Sequence, residues 1–312
     1  MMTNPSDSKS PALIVVLGHT AAGKTAFAAT LAKKAGGEII SADSRQVYRG
    51  MDIGTGKDYN DYIVDGQRIK FHLIDIVDAG YEYSVFEFQK DFINTFHDIS
   101  ARNKIPFLCG GTGLYLQAVL KGYEMTGVPI NEKLRNELSL KSDEKLIELL
   151  LTYRNLHNTT DSIIRSRLIR AIEIEEYKKN NPSQIIHFPE FTPVILGIKY
   201  SREERRRRIT ERLKFRLENG MIDEAEKLIA SGITPEILEF YGLEYKYLSW
   251  YLKGKISYNE MFESLNTAIH QFAKRQMTWF RKMEREGLKI QWIEGEKSME
   301  KKLEEGMRVI AG

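Results

Sequence analysis

Cysteine is scarce in this 312-residue chain: Cys109 is the only one, which excludes an intramolecular disulfide and a zinc site built from several cysteines. Apolar runs are short, and no stretch approaches the roughly 18 apolar residues that a membrane-spanning helix needs. The polar residues 1–11 lack the apolar segment of a secretory signal and are expected to form a disordered leader. We therefore expect a soluble, cytoplasmic protein without a membrane partner.

An excess of charge of one sign is also missing. The chain has 46 Lys and Arg residues against 43 Asp and Glu residues, so its net charge of +3 does not by itself indicate a nucleic-acid partner. The distribution is uneven, because residues 202–216 contain eight basic and three acidic side chains, and residues 274–285 contain five and one. We predict two basic helices that bind RNA phosphates, with solvent-exposed charged faces as the alternative. Trp279 and Phe280 in the second segment would stack on bases or belong to the core.

Strand and helix patterns alternate along the first third of the chain. Residues 12–17 (ALIVVL) form a short apolar run, which is typical of a parallel strand buried on both faces, and residues 24–34 follow as a helix. Further elements are predicted as a helix at residues 84–102 and strands at residues 38–41, 70–76 and 105–109. This order predicts an α/β fold in which helices flank a parallel sheet.

A long helical stretch interrupts the strand pattern. Helical periodicity extends over residues 131–179, and the apolar positions expected to face inward are Leu134, Leu138, Leu146, Leu150, Ile164, Leu168 and Ile172. A strand pattern returns at residues 192–199, and helices and a late strand at residues 288–293 follow. We therefore predict a core domain of residues 12–125 and 190–312, with residues 126–189 as an all-helical insertion domain.

Residues 18–25 (GHTAAGKT) match the pattern G-x-x-x-x-G-K-[ST] and lie between a predicted strand and a predicted helix, the context of a phosphate-binding loop. Glycines let backbone N–H groups converge on phosphate oxygens, Lys24 neutralises negative charge, and the Thr25 hydroxyl is a ligand for Mg²⁺. A nucleoside triphosphate and a diphosphate offer similar oxygens, so a P-loop small-molecule kinase stays open here. The predicted phosphate-binding residues are Gly18, His19, Thr20, Ala21, Ala22, Gly23, Lys24 and Thr25.

A second polar motif, residues 41–50 (SADSRQVYRG), follows the next predicted strand. Asp43 is thereby placed at the carboxyl end of that strand, where open α/β sheets bind ligands. A carboxylate at that edge is a candidate functional group, and capping of the next helix is the alternative.

Six segments together resemble one known family. They are GHTAAGKT (18–25), SADSRQVYRGMDIGTGK (41–57), FHLID (71–75), CGGTGLYLQAV (109–119), RLIRAIEI (167–174) and AKRQMTWFRK (273–282). The chain resembles the tRNA dimethylallyltransferases, also called tRNA isopentenyltransferases, of the bacterial type without a zinc finger. The resemblance implies a P-loop NTPase-like fold and transfer of a dimethylallyl group from dimethylallyl diphosphate to N6 of the adenine immediately 3′ of the anticodon, in tRNAs reading codons that begin with U. Mg²⁺ as cofactor and a monomer are expected.

The resemblance also implies roles for residues. Asp43 would accept a proton from the N6 amine, which an ionised carboxylate can do late in the reaction. Thr20, Arg208 and Arg212 would act on the diphosphate, whose departing charge needs donors. Thr112 matches a position near the RNA, although a tight turn alone would explain the glycines around it. The residues expected to contact tRNA are Asp43, Ser44, Arg45, Gln46, Thr112, Ser166, Arg167, Leu168, Ile169 and Arg170.

Some positions depart from the family's pattern. His19 stands where proline is more usual, Ser166 stands where glutamine is common, and residues 241–245 (YGLEY) are a variant of a glycine-tyrosine element. An adenylate-type isopentenyltransferase that acts on free nucleotides is therefore a further alternative, but such an enzyme would not need the large helical insertion.

Overall fold

The computed structural model describes residues 12–122, 127–153, 165–181 and 188–312. Its strands are β1 (Ala12–Gly18), β2 (Gly37–Ala42), β3 (Ile63–Val64), β4 (Gln67–Arg68), β5 (Phe71–His72), β6 (Ile105–Gly110), β7 (Thr192–Lys199) and β8 (Ile290–Glu294). Its α-helices are α1 (Lys24–Ala35), α2 (Val85–Ala101), α3 (Gly113–Leu120), α4 (Glu132–Ser139), α5 (Asp143–Tyr153), α6 (Arg165–Asn180), α7 (Arg202–Glu218), α8 (Met221–Ala230), α9 (Pro235–Phe240), α10 (Leu243–Leu252), α11 (Tyr258–Arg285) and α12 (Met299–Ala311).

Six strands form one parallel sheet in the order β5-β2-β6-β1-β7-β8. The apolar strand β1 lies inside it, with Val16 opposite Cys109 of β6 and opposite Leu196 of β7. All three of these residues are buried, as expected for strands that helices cover on both faces. The predicted α/β fold with a helix-flanked parallel sheet is therefore confirmed.

The strand predicted at residues 70–76 is much shorter than expected, because only Phe71 and His72 pair with β2. Leu73 and Asp75 have positive φ angles of 62° and 56°, which no strand accommodates. The carboxylate of Asp75 accepts hydrogen bonds from Lys57 Nζ and the Tyr59 hydroxyl, so a polar network replaces the sheet ladder at this point.

Two apolar clusters stabilise the part of the chain that contains the sheet. One joins the sheet to α1 and α12 and includes Phe27, Phe107 and Leu303. The other is formed by the five helices from α7 to α11 and includes Val47 and Tyr48 from the segment that follows β2. Tyr48 is fully buried and lies edge-on against Tyr241, with ring centroids 4.6 Å apart. The second cluster therefore fixes the Asp43 segment against the helices of the second half of the chain.

The chain divides into two compact units, one of residues 1–122 with 189–312 and one of residues 123–188. The second unit contains α4 to α6, which enclose their own apolar cluster of Leu138, Leu146, Leu150, Leu168, Ala171 and Ile172. Leu134 packs against this cluster, whereas Ile164 and the leader of residues 1–11 lie outside the described residues. Among the described helices, none combines the length and apolar character required to cross a bilayer.

Candidate functional site

A cavity of about 1090 Å³ lies at the carboxyl ends of β1, β2 and β6, within the unit that contains the sheet. The residues that line it come from the loop after β1, the segment after β2, the turn after β6 and the helices α7 and α11, and also from the connection of α9 to α10 and the segments after β7 and β8. The predicted phosphate-binding and catalytic residues lie in the loop after β1, in the segment after β2 and on α7. The fold therefore brings most of the predicted site residues to one place.

The loop between β1 and α1 has the backbone expected of a phosphate-binding loop. Ala21 and Gly23 have positive φ angles of 62° and 71°, and α1 begins directly after Gly23. Lys24 donates a hydrogen bond from Nζ to the His19 carbonyl oxygen at 2.8 Å. Burial, followed by the Arg212 charge, lowers the pKa of Lys24 to about 8 against the opposing effects of Cys109 and Asp43. The amine is still mostly charged at neutral pH, and a bound anion would stabilise that charged form.

His19 belongs to the predicted phosphate-binding loop, but it is not among the residues that line the cavity. The ring is fully buried, bonds the Thr20 carbonyl oxygen through Nδ1 at 2.6 Å, and lies edge-on to Tyr200 at 5.9 Å between ring centroids. Burial lowers its pKa to about 3, so the ring is neutral at physiological pH.

Three arginines from one face of α7 line the cavity: Arg208, Arg212 and Arg216. Arg208 Nε donates to the Ala21 carbonyl oxygen at 3.0 Å, and Arg212 donates to the Thr20 hydroxyl. Burial, followed by repulsion from Arg216, lowers the pKa of Arg212 to about 9. The basic segment of residues 202–216 therefore does not present all of its charge to solvent, because some of its arginines lie beside the phosphate loop.

Asp43 directly follows β2 and lines the cavity. Its Oδ1 accepts a hydrogen bond from the Arg45 backbone N–H at 2.9 Å, so the carboxylate also stabilises the turn that follows. Gln46 lies beside it with its amide oriented: Oε1 accepts from Ser41 Oγ and Nε2 donates to the Gly56 carbonyl oxygen, each at 3.0 Å. The carboxylate and the amide thus face the cavity from one short segment.

The turn after β6 joins this segment through Thr112, whose Oγ1 accepts from the Ser44 backbone N–H at 3.1 Å. The neighbouring glycines serve close packing, because a Cβ on Gly110 would lie 2.2 Å from the Ala42 carbonyl oxygen and one on Gly113 would lie 2.5 Å from the Trp279 ring. The glycines of the turn are therefore structural and Thr112 lines the cavity, while its proximity to RNA stays a prediction.

Sequence reasoning missed Gln276 of α11. Its Oε1 accepts from the Thr20 backbone N–H and its Nε2 donates to the Gly111 carbonyl oxygen, each at 2.8 Å. One side chain thus connects the phosphate loop to the turn after β6. The only signal was its helical spacing from Trp279, which also lines the cavity, whereas Phe280 beside it belongs to the core.

Residues 241–244, the variant element of the sequence, also line the cavity, which sequence analysis did not predict. Burial raises the pKa of Glu244, against the lowering effect of Arg216. Glu244 is therefore one of several carboxylates that share the cavity with Asp43, and Asp58, which pairs with Arg216 at 3.6 Å, is another.

A carboxylate outside the cavity holds one of its walls. Glu224 of α8 accepts hydrogen bonds from the backbone N–H groups of Asp52, Ile53 and Gly54 at 2.7 to 2.9 Å, and from the Tyr245 hydroxyl at 2.6 Å. Gly54 and the residues after it line the cavity, including Gly56, which binds the Gln46 amide. Glu224 therefore orders the loop that orients Gln46.

Replacing Glu224 by alanine is expected to lower the free energy of unfolding by about 2–3 kcal/mol, because three backbone donors lose their common acceptor. Urea unfolding followed by circular dichroism measures this change. The matched control is Glu226→Ala on the same helix, whose side chain is exposed and whose loss is expected to have little effect. Equal stabilities of the two variants would contradict the assigned role.

The residues predicted to contact tRNA in the helical unit differ in accessibility. Ser166 and Arg167 are exposed, whereas Leu168 is fully buried in the apolar cluster of this unit and Ile169 packs against that cluster. Arg170 forms an ion pair with Glu173 and donates to the Val128 carbonyl oxygen at 2.7 Å. The prediction is therefore wrong for the Leu168 side chain, because that side chain stabilises the unit instead of reaching its surface.

Comparisons with known proteins point to one family. A family model described as IPP transferase matches residues 46–283, and one described as isopentenyl transferase matches residues 11–80. The relatives include tRNA dimethylallyltransferase 2 of Phocaeicola vulgatus, which is 57% identical over 94% of this chain and 95% of that protein. They also include tRNA dimethylallyltransferase 1 of Parabacteroides distasonis, which is 52% identical over 97% of this chain and 98% of that protein.

Solved structures give the same result. The full-length tRNA isopentenylpyrophosphate transferase of Bacillus halodurans is similar with a TM-score of 0.71 and 32% identity, over 97% of this chain and 96% of that one. A eukaryotic dimethylallyltransferase acting on tRNA is similar with a TM-score of 0.76 and 25% identity, over 92% of this chain and 74% of that one.

Proposed function

The chain belongs to the IPP transferase family, and we propose that it transfers a dimethylallyl group from dimethylallyl diphosphate to N6 of an adenine in tRNA. The acceptor that we propose is the adenine immediately 3′ of the anticodon, in tRNAs reading codons that begin with U, so that the product is N6-isopentenyladenosine. The observation that supports this function best is one cavity that contains both a phosphate loop with two attached arginines and the carboxylate of Asp43.

The donor diphosphate fits the loop of residues 18–25. Backbone N–H groups at the start of α1, Lys24, Arg208 and Arg212 provide positive charge around one point of the cavity. When the allylic C–O bond breaks, negative charge develops on the departing diphosphate, and donors already in place stabilise it without reorganisation. These residues therefore bind the donor and assist departure of its leaving group.

The acceptor adenine fits the opposite side of the site, at Asp43 and Gln46. The base must leave its stack to reach a buried donor, and the unpaired bases of an anticodon loop can do so at low cost. As the N6–carbon bond forms, the amine becomes acidic, and Asp43 accepts its proton. The electron pair of the broken C–O bond leaves with the diphosphate, so atoms and charge balance.

Mg²⁺ is the cofactor that we propose, and the chain's ligands suit it. Within the described ranges, no three His, Cys, Asp or Glu side chains cluster as a metal site. Mg²⁺ usually takes one or two protein ligands together with substrate phosphates and waters, and the Thr25 side chain, which lines the cavity at the start of α1, would be the protein ligand. The ion would neutralise diphosphate charge when bound.

The helical unit supports tRNA binding in this proposal through the exposed side chains of Ser166 and Arg167. Arg167→Ala is expected to raise the KM for tRNA about tenfold, as loss of one charged hydrogen bond does, and to leave the affinity for the donor unchanged. Steady-state kinetics at several salt concentrations would test this, with the exposed Lys178→Ala on the same helix as the control. A selective loss of donor affinity in Arg167→Ala would contradict the assignment.

One experiment tests the proposed function. The protein is incubated with Mg²⁺, dimethylallyl diphosphate labelled in its carbon chain, and either tRNA or AMP, and the labelled product is identified. Labelled tRNA with the label on a single adenine next to the anticodon is expected. Labelled AMP would indicate the adenylate-type enzyme, and consumption of ATP without labelling of either acceptor would indicate a kinase. We also propose that the enzyme works as a monomer in the cytoplasm, where tRNA is available; light scattering tests the first point.

A further inference from the structure

Two phenylalanines both line the cavity and remain exposed to solvent. Phe240, at the end of α9, is 51% exposed, and Phe272, on α11, is 38% exposed. A side chain with both properties lies at the rim of a cavity and not in its interior. Single exposed apolar side chains are common on protein surfaces, so it is the position of both rings at the entrance of one cavity that needs a reason.

Each of these rings has an arginine beside it. The guanidinium carbon of Arg45 lies 5.5 Å from the ring centre of Phe240, and that of Arg275 lies 5.9 Å from the ring centre of Phe272. Phe240 is supported from the protein side by Tyr241, which is buried and lies edge-on to it at 5.6 Å between ring centroids. The rim therefore presents two aromatic rings, each paired with a cation.

We propose that Phe240 and Phe272 are stacking platforms for the unpaired bases that adjoin the reacting adenine in the RNA. The inference rests on the proposed function and extends it, because it assigns the contacts that hold the RNA loop open while one base occupies the cavity. Extrusion of a base leaves its neighbours without a stacking partner, and an aromatic face or a guanidinium plane replaces that partner.

The charge of the rim favours RNA over an apolar partner. Arg45, Lys246 and Arg275 lie among the residues around the cavity, whereas Glu239 is the carboxylate adjacent to Phe240 in the chain. A cation beside each ring suits a base with its phosphate, since the base stacks and the phosphate pairs. Arg45 belongs to the segment of Asp43, and Arg275 precedes Gln276, so both platforms adjoin residues already placed in the site.

The test compares Phe240→Ala and Phe272→Ala with Phe215→Ala. Phe215, on α7, is 63% exposed but lies outside the cavity, so it controls for loss of an exposed ring. The dissociation constant for a tRNA anticodon stem-loop is expected to rise about 5- to 150-fold in each of the first two variants, the range for loss of one base–aromatic stack. Phe215→Ala is expected to bind like the wild type, and Phe240→Trp and Phe272→Trp are expected to retain affinity.

A second series identifies the bases. Stem-loops that have an abasic nucleotide on one or the other side of the reacting adenine remove one stacking base at a time. The penalty of Phe240→Ala or Phe272→Ala is expected to disappear with one of these RNAs, which a merely structural role of the ring would not produce. Binding of dimethylallyl diphosphate, measured in parallel, verifies that each variant is folded.

Two results would overturn the inference. Wild-type affinity of both variants for the intact stem-loop would show that the rings do not contact RNA and would make the rim a surface for another partner. An unchanged penalty with every abasic RNA would show that the rings act through the fold. Failure of the proposed function is a separate result, because it would appear as absence of tRNA prenylation by the wild-type protein.

Discussion

Replacement of Asp43 by asparagine is expected to reduce the rate of prenyl transfer by about 10²- to 10⁴-fold, the usual contribution of a general base. The carboxylate lines the cavity and is held by the Arg45 backbone N–H, and the nearly isosteric amide can keep a similar position. The amide cannot accept the proton that the alkylated amine must lose. The expected loss is therefore in kcat, with little change in the affinity for either substrate.

Single-turnover kinetics with labelled donor, together with binding of tRNA and donor measured separately, would test this expectation. The matched control is Asp65→Asn, because Asp65 is an exposed aspartate that pairs with Lys33 away from the cavity. Turnover of Asp43→Asn close to that of the wild type would refute Asp43 as the base. It would direct attention to the other carboxylates of the cavity near the arginines, first Glu244 and Asp58.

Replacement of Lys24 by methionine is expected to lower kcat/KM for the donor by at least about 10²-fold, as loss of one preorganised group on developing negative charge does. The pH dependence gives a signature of this amine. In the free protein the pKa of Lys24 is lowered to about 8, so below pH 8 the charged form predominates and binds diphosphate. Above that pH the amine must take up a proton to bind, and the affinity of the wild type is expected to fall.

Calorimetric titration with dimethylallyl diphosphate between pH 6.5 and 9.5 measures both effects. In Lys24→Met the decrease near pH 8 is expected to be absent, while any decrease near pH 9 from Arg212, whose pKa is lowered to about 9, would remain. Lys34→Met, an exposed position on the same helix, is the control that should keep the wild-type profile. An unchanged profile in Lys24→Met would assign the titration to another group.

The sheet and the phosphate loop could be predicted because their signals are local. An apolar strand, a glycine-rich turn and an amphipathic helix each leave a pattern in consecutive residues, and the carboxyl end of a parallel strand gives the position of Asp43. The strand at residues 70–76 was too long because apolar content does not reveal the positive φ angles of Leu73 and Asp75.

Contacts between distant parts of the chain could not be predicted in the same way. Gln276 lies more than 250 residues from Thr20, and no local pattern states that their amide groups meet. Leu168 shows the limit of transferring a whole segment from a family, because the helical periodicity placed it inward while the resemblance placed it on the RNA. In the structure the Leu168 side chain is fully buried in the apolar cluster of the helical unit.

The two hydrogen bonds of Gln276 have a consequence for how the binding of one substrate affects the binding of the other. Because one amide joins the backbone of Thr20 in the donor loop to that of Gly111 next to Thr112, a ligand that fixes one loop also reduces the entropy still to be lost by the other. Such coupling is reciprocal. We therefore expect the factor by which bound diphosphate raises the affinity for tRNA to equal the factor by which bound tRNA raises the affinity for diphosphate, with Gln276 as the side chain that couples the two loops.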